Sequence, residues 1–258
     1  MSAPGPFRLD GQAAIVTGAS SGLGAIIADA LADAGCAVVL AARREQELER
    51  AAEAIVARGG RAVARRADLR DPGHAEDLVS TALAAFGRLD GVVLNAGAST
   101  IAAAAEEDLA AFADVLAVNV TAQMALASAA ARQMIDAGGG GWMIAQSSIL
   151  ARRAGTGPGV AAYSASKGAI EQLIRELARQ WAPHGIRVNG LAPGFFPTAM
   201  NAPMVADPGR LAQLVARIPL GRVGAPEDLA GVAVFLASPA AGYITGQVIP
   251  LDGGMTCW

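Results

Sequence analysis

The sequence predicts an α/β, doubly wound, three-layer fold around a central parallel sheet of about seven strands. Three observations lead there. Strand-like and helix-like segments alternate along the whole chain. The strand-like runs are apolar throughout, as in strands covered on both faces. A glycine-rich stretch, TGASSGLG at 17–24, joins the first strand to the first helix.

The elements follow in order. Ala13 to Thr17 (AAIVT) is a short apolar run ending at glycine, a buried strand. Leu23 to Ala34 carries Ile26, Ile27, Ala30 and Leu31 at helical spacing, and Gly35 stops it. Ala37 to Ala42 is the second strand, and Glu45 to Ala57 a charged, alanine-rich helix closed by Gly59-Gly60. Arg61 to Ala67 reads as a third strand. Asp71-Pro72 opens a helix reaching Phe86, since proline suits a first turn. Gly91 to Leu94 is the fourth strand, followed by a long helical stretch from Glu106 to Ala137. Gly141 to Gln146, Ile186 to Leu191 and Gln247 to Leu251 complete the strands. Helices at Ala161 to Trp181 and Pro226 to Ala237 fall between them. Nothing resembles a linker, so residues 1–258 read as one domain.

Composition narrows the function classes. Of 258 residues, 53% are hydrophobic and 17% charged, far from a disordered chain. A net charge of −3 argues against a nucleic-acid-binding surface. The most apolar long window, Leu109 to Ala131, is interrupted by Asp114, Asn119, Thr121, Gln123 and Ser128. It falls short of the ~18 unbroken apolar residues of a spanning helix, so no membrane partner is expected. The N-terminus lacks a signal-peptide pattern, and the expected location is cytoplasmic. Cys36 and Cys257 make no disulfide framework, and no metal-ligand spacing occurs. His74 and His184 read as structural.

In a doubly wound sheet, ligands sit at the carboxyl ends of the strands. The glycine loop is at such an end. A helix N-terminus offers unpaired N–H groups and partial positive charge to a phosphate, and glycine lets the backbone approach closely. At the end of the second strand, where an acid would hold an NAD ribose, the chain has Ala42-Arg43-Arg44. Arginine forks suit a 2′-phosphate, which favours NADP(H) while leaving NAD(H) possible.

Of the 20 lysine and arginine residues, Lys167 alone is lysine. One of only two tyrosines, Tyr163, lies four residues before it, on the same helix face. A free phenol near ~10 exchanges protons poorly at neutral pH. A neighbouring ammonium is expected to lower that value and make an acid–base group.

With these residues in view, the chain resembles the short-chain dehydrogenase/reductase family over about Leu9 to Gly254. The segments that carry the resemblance are TGASSGLG (17–24), ADL (67–69), LNAGA (94–98), NVTA (119–122), SS (147–148), YSASK (163–167), APHGIRVNGLAPG (182–194) and GQVIPLDGG (246–254). The resemblance implies a Rossmann fold, with Gly18, Ser20, Ser21, Gly22, Leu23 and Gly24 as the pyrophosphate loop. It implies that Asp68 and Leu69 contact adenine, and that Asn95, Ala96 and Gly97 lie under the adenine ribose. Asn119 corresponds to the residue that holds a water in a proton relay. Ser147 and Ser148 are adjacent, and spacing does not choose between them; the family pattern favours Ser148 as the substrate-binding serine. Tyr163 corresponds to the general acid–base, and Lys167 to the lysine that binds ribose and depresses its pKa. Pro193, Gly194 and Thr198 correspond to the loop that holds the nicotinamide amide.

The implied function is NADP(H)-dependent interconversion of a carbonyl and a secondary alcohol, a reductase or dehydrogenase acting on a small molecule. The alternatives are an NAD-dependent sugar or sugar-acid (gluconate-type) dehydrogenase and a non-catalytic dinucleotide-binding protein. Residues 195–218 fall where the family has a substrate lid, with Phe195, Phe196, Met200, Met204, Val205, Leu211 and Leu214 as its apolar set. Arg152 and Arg153 are expected as solvated loop charges. The resemblance also implies a homotetramer, with contact faces near residues 120–137 and the last strand.

Overall fold

The computed structural model describes residues 5–155, 159–198 and 201–257, without the side chains of Pro203 and Met204. Seven strands form one parallel sheet among these residues: β1 (Ala13–Thr17), β2 (Ala37–Ala42), β3 (Ala62–Arg66), β4 (Gly91–Leu94), β5 (Gly141–Gln146), β6 (Ile186–Pro193) and β7 (Val248–Leu251). Their order is β3-β2-β1-β4-β5-β6-β7. The order reverses between β1 and β4, so a crevice opens above their carboxyl ends.

Helices cover both faces. On one side stand α1 (Gly22–Asp33), α2 (Glu45–Ala57) and α9 (Pro226–Ala237). Their Ile27, Leu31, Leu48, Ile55, Leu229 and Leu236 bury against Val16, Val38, Leu40 and Ile144 of the sheet. On the other side stand α3 (His74–Phe86), α5 (Ala122–Ala137) and α6 (Ala161–Trp181). There Leu78, Leu126, Met134, Ile170 and Ile174 meet Ile15, Val39, Val92 and Met143. Each such side chain contributes roughly 1.5–3 kcal/mol of burial, enough to hold the strand ends in a fixed crevice. The short helices α7 (Ala202–Val205) and α8 (Pro208–Val215) follow β6.

Two helix starts lie three residues later than expected, for local reasons. The third helix begins at His74, not Asp71, because Asp71-Pro72-Gly73 closes its own turn: Gly73 N donates to Asp71 Oδ1 at 2.9 Å. The long helix begins at Leu109, where Asp108 caps it by accepting from Ala110 N. It is α4 (Leu109–Leu116), a π-helical turn (Ala117–Thr121) and then α5. Its 29 residues, Leu109–Ala137, are long and apolar enough to cross a bilayer by length and composition. Here, however, Leu126, Ala130 and Met134 are core residues packed beneath the sheet. His74 is likewise a structural residue: it is buried, with Nδ1 2.7 Å from Asp71 O and Nε2 3.2 Å from Ala122 O.

Candidate active site

The glycine loop is built from contacts that exclude larger residues. Gly18 has φ +68°, and a Cβ there would lie 2.7 Å from Asn95 Nδ2. A Cβ on Gly24 would strike the Gly18 carbonyl oxygen, so the first turn of α1 packs directly beneath the loop. Ser21 stands at the N-cap of α1 with no side-chain bond to the first turn. Those N–H groups are therefore free for an anion. Thr17 binds the loop to the end of β4: its Oγ1 accepts from Asn95 N at 3.0 Å and Ala96 N at 3.1 Å and donates to Val93 O.

Arg43 and Arg44 follow β2 beside this loop. Arg44 Nη2 donates to Ser20 Oγ at 3.0 Å and Ser21 Oγ at 2.6 Å, and Nη1 lies 3.6 Å from Glu47. The glycine loop has no basic residue of its own, and Arg44 brings a guanidinium onto it from the next strand. Asp68 and Leu69 border the cleft beyond β3, beside Arg70, which pairs with Asp114 at 2.7 Å.

The other end of the cleft holds the proton chemistry. Tyr163 and Lys167 sit one turn apart on α6, with Lys167 Nζ 5.4 Å from the Tyr163 ring centre. Lys167 Nζ donates to Gln146 O at 2.7 Å. The two adjacent serines part company. Ser147 Oγ turns away to donate to the buried carboxylate of Glu171 at 3.2 Å. Ser148 Oγ accepts from Leu150 N at 3.2 Å and lines the same cleft as Tyr163, where its hydroxyl favours the ionised phenol.

Burial sets the charges here. It raises the Tyr163 phenol above its ordinary value, and the Ser148 hydroxyl opposes this only in part. It lowers the Lys167 ammonium to about 8. This corrects the expected balance: in the protein alone, desolvation outweighs any help the ammonium gives the phenolate.

Asn119 lies behind the cleft, in the π turn. Its Oδ1 accepts from Ala98 N at 2.7 Å, and its Nδ2 donates to Ala98 O and Ser166 Oγ, both at 2.9 Å. Ser166 Oγ in turn donates to Tyr163 O at 2.6 Å. The side chain thus joins the β4 loop to α6, and its Oδ1 accepts only this one bond.

One cleft of about 510 Å³ unites these parts. Gly18, Ser20, Ser21, Gly22, Leu23, Arg43, Arg44, Asp68, Leu69, Asn95, Ala96, Gly97, Ser148, Tyr163, Lys167, Pro193, Gly194 and Thr198 all line it. Of the expected site residues, only Gly24 and Asn119 stand behind its wall. Four residues were not singled out from sequence. Asn201 accepts from Thr198 N at 2.8 Å and donates to Phe196 O at 2.7 Å, pinning the loop after β6. Gln146 lines the cleft ahead of the serines. A polar residue ending an apolar strand was its signal. Arg70 lines the wall beside Asp68, and Glu171 anchors Ser147.

Arg152 and Arg153 are tied down as well as partly solvated. Arg152 Nε pairs with Glu171 at 2.9 Å, and Arg153 Nη1 donates to Met255 O at 2.9 Å. In the expected lid, Phe196 is buried at the cleft wall and Leu214 packs with Ile149, Ile218 and Met255. Met200 and the side chain of Met204 lie outside the described residues. Among the described residues, no group of three His, Cys, Asp or Glu side chains could hold a metal.

Comparison with known proteins agrees with this geometry. Residues 18–256 match the family model described as enoyl-(acyl carrier protein) reductase. The chain is 39% identical over 258 residues to gluconate 5-dehydrogenase of Gluconobacter oxydans (strain 621H), covering 99% of each. A short-chain type dehydrogenase/reductase from Mycobacterium marinum superposes with TM-score 0.93 at 37% identity, covering 98% of each chain. A gluconate 5-dehydrogenase from Burkholderia cenocepacia J2315, solved with NADP and tartrate, gives TM-score 0.92 at 34% identity, again over 98% of each. Match across nearly the full length, the parallel seven-stranded sheet and the serine–tyrosine–lysine cleft give one answer: the chain belongs to the short-chain dehydrogenase/reductase family.

Proposed function

We propose that the protein is an NADP(H)-dependent oxidoreductase that interconverts a carbonyl and a secondary alcohol. The observation that carries this reading is the shared cleft, which holds Ser148, Tyr163 and Lys167 at one end and the glycine loop at the other. The chain's own residues fit a dinucleotide. Side chains at Gly18 or Gly24 would collide within the loop that forms the cradle, and the first turn of α1 offers uncapped N–H groups beside it. The Arg43–Arg44 pair supports a 2′-phosphate, and so does the NADP in the related Burkholderia structure.

When bound, the nicotinamide supplies or accepts the hydride. The protein does the rest. Ser148 donates to the substrate oxygen and holds it against the phenol. Tyr163 gives that oxygen a proton in reduction and takes it back in oxidation. Lys167 holds a ribose hydroxyl and keeps positive charge beside the phenol. Asn119 fixes the carbonyl of Tyr163 through Ser166, which sets the turn of α6 that presents both residues. General acid–base catalysis of this kind contributes about 10²–10⁴ in rate.

A sugar acid is the substrate class that the relatives favour. One is a gluconate 5-dehydrogenase, and another was solved with tartrate, a hydroxy acid. We propose in addition a homotetramer; much of the apolar α4–α5 stretch lies outside the core, with Leu109 78% exposed. Light scattering tests this.

Fluorescence titration with NADPH and NADH, followed by a panel of sugar acids and ketones, tests the main reading. NADPH should bind more tightly, and Tyr163→Phe should bind it equally well while losing turnover by about 10²-fold or more. Wild-type turnover in Tyr163→Phe, or no binding of either nucleotide, would overturn it.

A further inference from the structure

Gln146 ends β5, directly before the two serines, and is 6% exposed. Its side-chain oxygen and nitrogen both lack a hydrogen-bond partner. Four buried side-chain polar atoms are unpaired among the described residues; two of them are on Gln146, the only side chain there with both ends unmet. Native proteins rarely leave such groups unsatisfied without a functional cause.

Its position says where the missing partner comes from. Strand side chains alternate, so Gln146 shares a face with Trp142 and Ile144, on the side of Val16, Leu191 and Phe196. It lines the cleft together with Ser148, Tyr163, Pro193 and Gly194. Its own carbonyl is held by Lys167 Nζ at 2.7 Å, which fixes the backbone and leaves the amide as the variable part.

We propose that the Gln146 amide is a recognition group for the nicotinamide carboxamide. The proposal rests on the nicotinamide-dependent reading above. The chemistry favours this partner over the others a substrate-loaded cleft would offer. A primary amide presents a donor and an acceptor side by side, and another primary amide matches both at once. A phosphate only accepts, and a substrate hydroxyl donates and accepts through a single atom, so neither meets the paired donor and acceptor of the amide at once. An apolar residue here would fill the wall equally well. It would give up the selection between a correctly oriented ring and one turned over.

Two variants and three probes test this. Gln146→Met removes both polar atoms at similar volume, and Gln146→Ile serves the same purpose if Met does not fold. Binding of NADP⁺, of its 3-acetylpyridine analogue and of 2′-phospho-ADP-ribose, which has no nicotinamide, is measured by calorimetry. The variant should bind NADP⁺ about tenfold more weakly. It should bind 2′-phospho-ADP-ribose within about twofold of wild type, and should lose less than about threefold with the acetyl analogue, whose ring substituent only accepts. The melting temperature of the ligand-free variant should hold or rise, because an unpaired buried amide has been removed. Unchanged NADP⁺ affinity overturns the proposal alone. Equal losses with all three probes overturn it by showing general damage to the cleft. If wild type binds none of the three, the nicotinamide reading itself fails and this proposal falls with it.

Discussion

Lys167 and Tyr163 share one face of α6, with the ammonium nitrogen 5.4 Å from the ring centre, and burial moves them in opposite directions. The phenol is raised and the ammonium lowered to about 8, so both uncharged forms are favoured. At neutral pH Tyr163 is a protonated acid, ready for carbonyl reduction. Alcohol oxidation needs the phenolate. We therefore expect oxidative kcat/KM to climb from about pH 7 to at least about 10, while reductive kcat/KM stays flat across neutral pH because the phenol keeps its proton there. Profiles in both directions check this. Flat oxidation across neutral pH would mean that the phenol ionises far below its ordinary value once the cleft is loaded.

The same burial bears on stability. Lys167 folds with a pKa of about 8 against 10.5 when free, so between those values the unfolded chain binds more protons. Stability then rises with pH across that window. Below it, holding the ammonium costs on the order of 3 kcal/mol. Lys167→Met removes the cost but also the bond to Gln146 O. A net gain of about 1–2 kcal/mol is expected, or a few degrees in melting temperature. Thermal unfolding at neutral pH measures it. A lower melting temperature would show that the hydrogen bond outweighs the desolvation.

Arg43 and Arg44 should separate in their effects. Arg44 bonds both loop serines, so Arg44→Ala loosens the pyrophosphate cradle and removes a cation. Arg43 makes no bond to the loop serines and offers only its charge at the cleft edge. Arg44→Ala should weaken NADPH and NADH alike, by about tenfold. Arg43→Ala should weaken NADPH by a similar factor and spare NADH. Kd values for the two nucleotides with each variant decide it; equal NADPH and NADH losses in Arg43→Ala would remove its assignment to a 2′-phosphate.

Local chemistry explains which parts were legible in sequence. Strand and helix order followed from unbroken apolar runs such as Val38–Leu40 and from glycine punctuation, because both faces of a parallel sheet must be covered. The glycine loop and the Tyr163–Lys167 spacing were visible for the same reason: each is contiguous in sequence. What escaped depends on contacts distant along the chain. Glu171 meets Arg152 and Ser147 across 19 and 24 residues. Arg44 reaches back to the loop serines across 24 and 23. The protonation balance was misjudged because a sequence shows a neighbouring charge but not the burial that outweighs it.

Glu171 is the clearest case of a residue that acts through others. It lies one turn beyond Lys167 on α6 and is buried, with its oxygens 2.9 and 3.1 Å from Arg152 Nε. Its Oε1 also takes the Ser147 hydroxyl, and Arg152 Nη2 goes on to Val248 O at 3.2 Å. The segment carrying Ser148 is thus anchored on one side by Ser147 and on the other by Arg152. Arg152 keeps 36% of its side chain in solvent, so the ion pair is partly screened. Glu171→Ala should then cost about 1–3 kcal/mol, less than a fully buried pair, and should lower kcat more than it raises KM. Cofactor affinity should be unchanged, since Glu171 touches neither the glycine loop nor the arginines. Glu171→Gln can still accept from Ser147 and Arg152, and should recover most of kcat. Urea unfolding, cofactor titration and steady-state kinetics on both variants separate the outcomes. A stability loss with kcat intact would confine Glu171 to holding the fold, whereas a kcat loss that Gln repairs identifies it as the residue that positions Ser148.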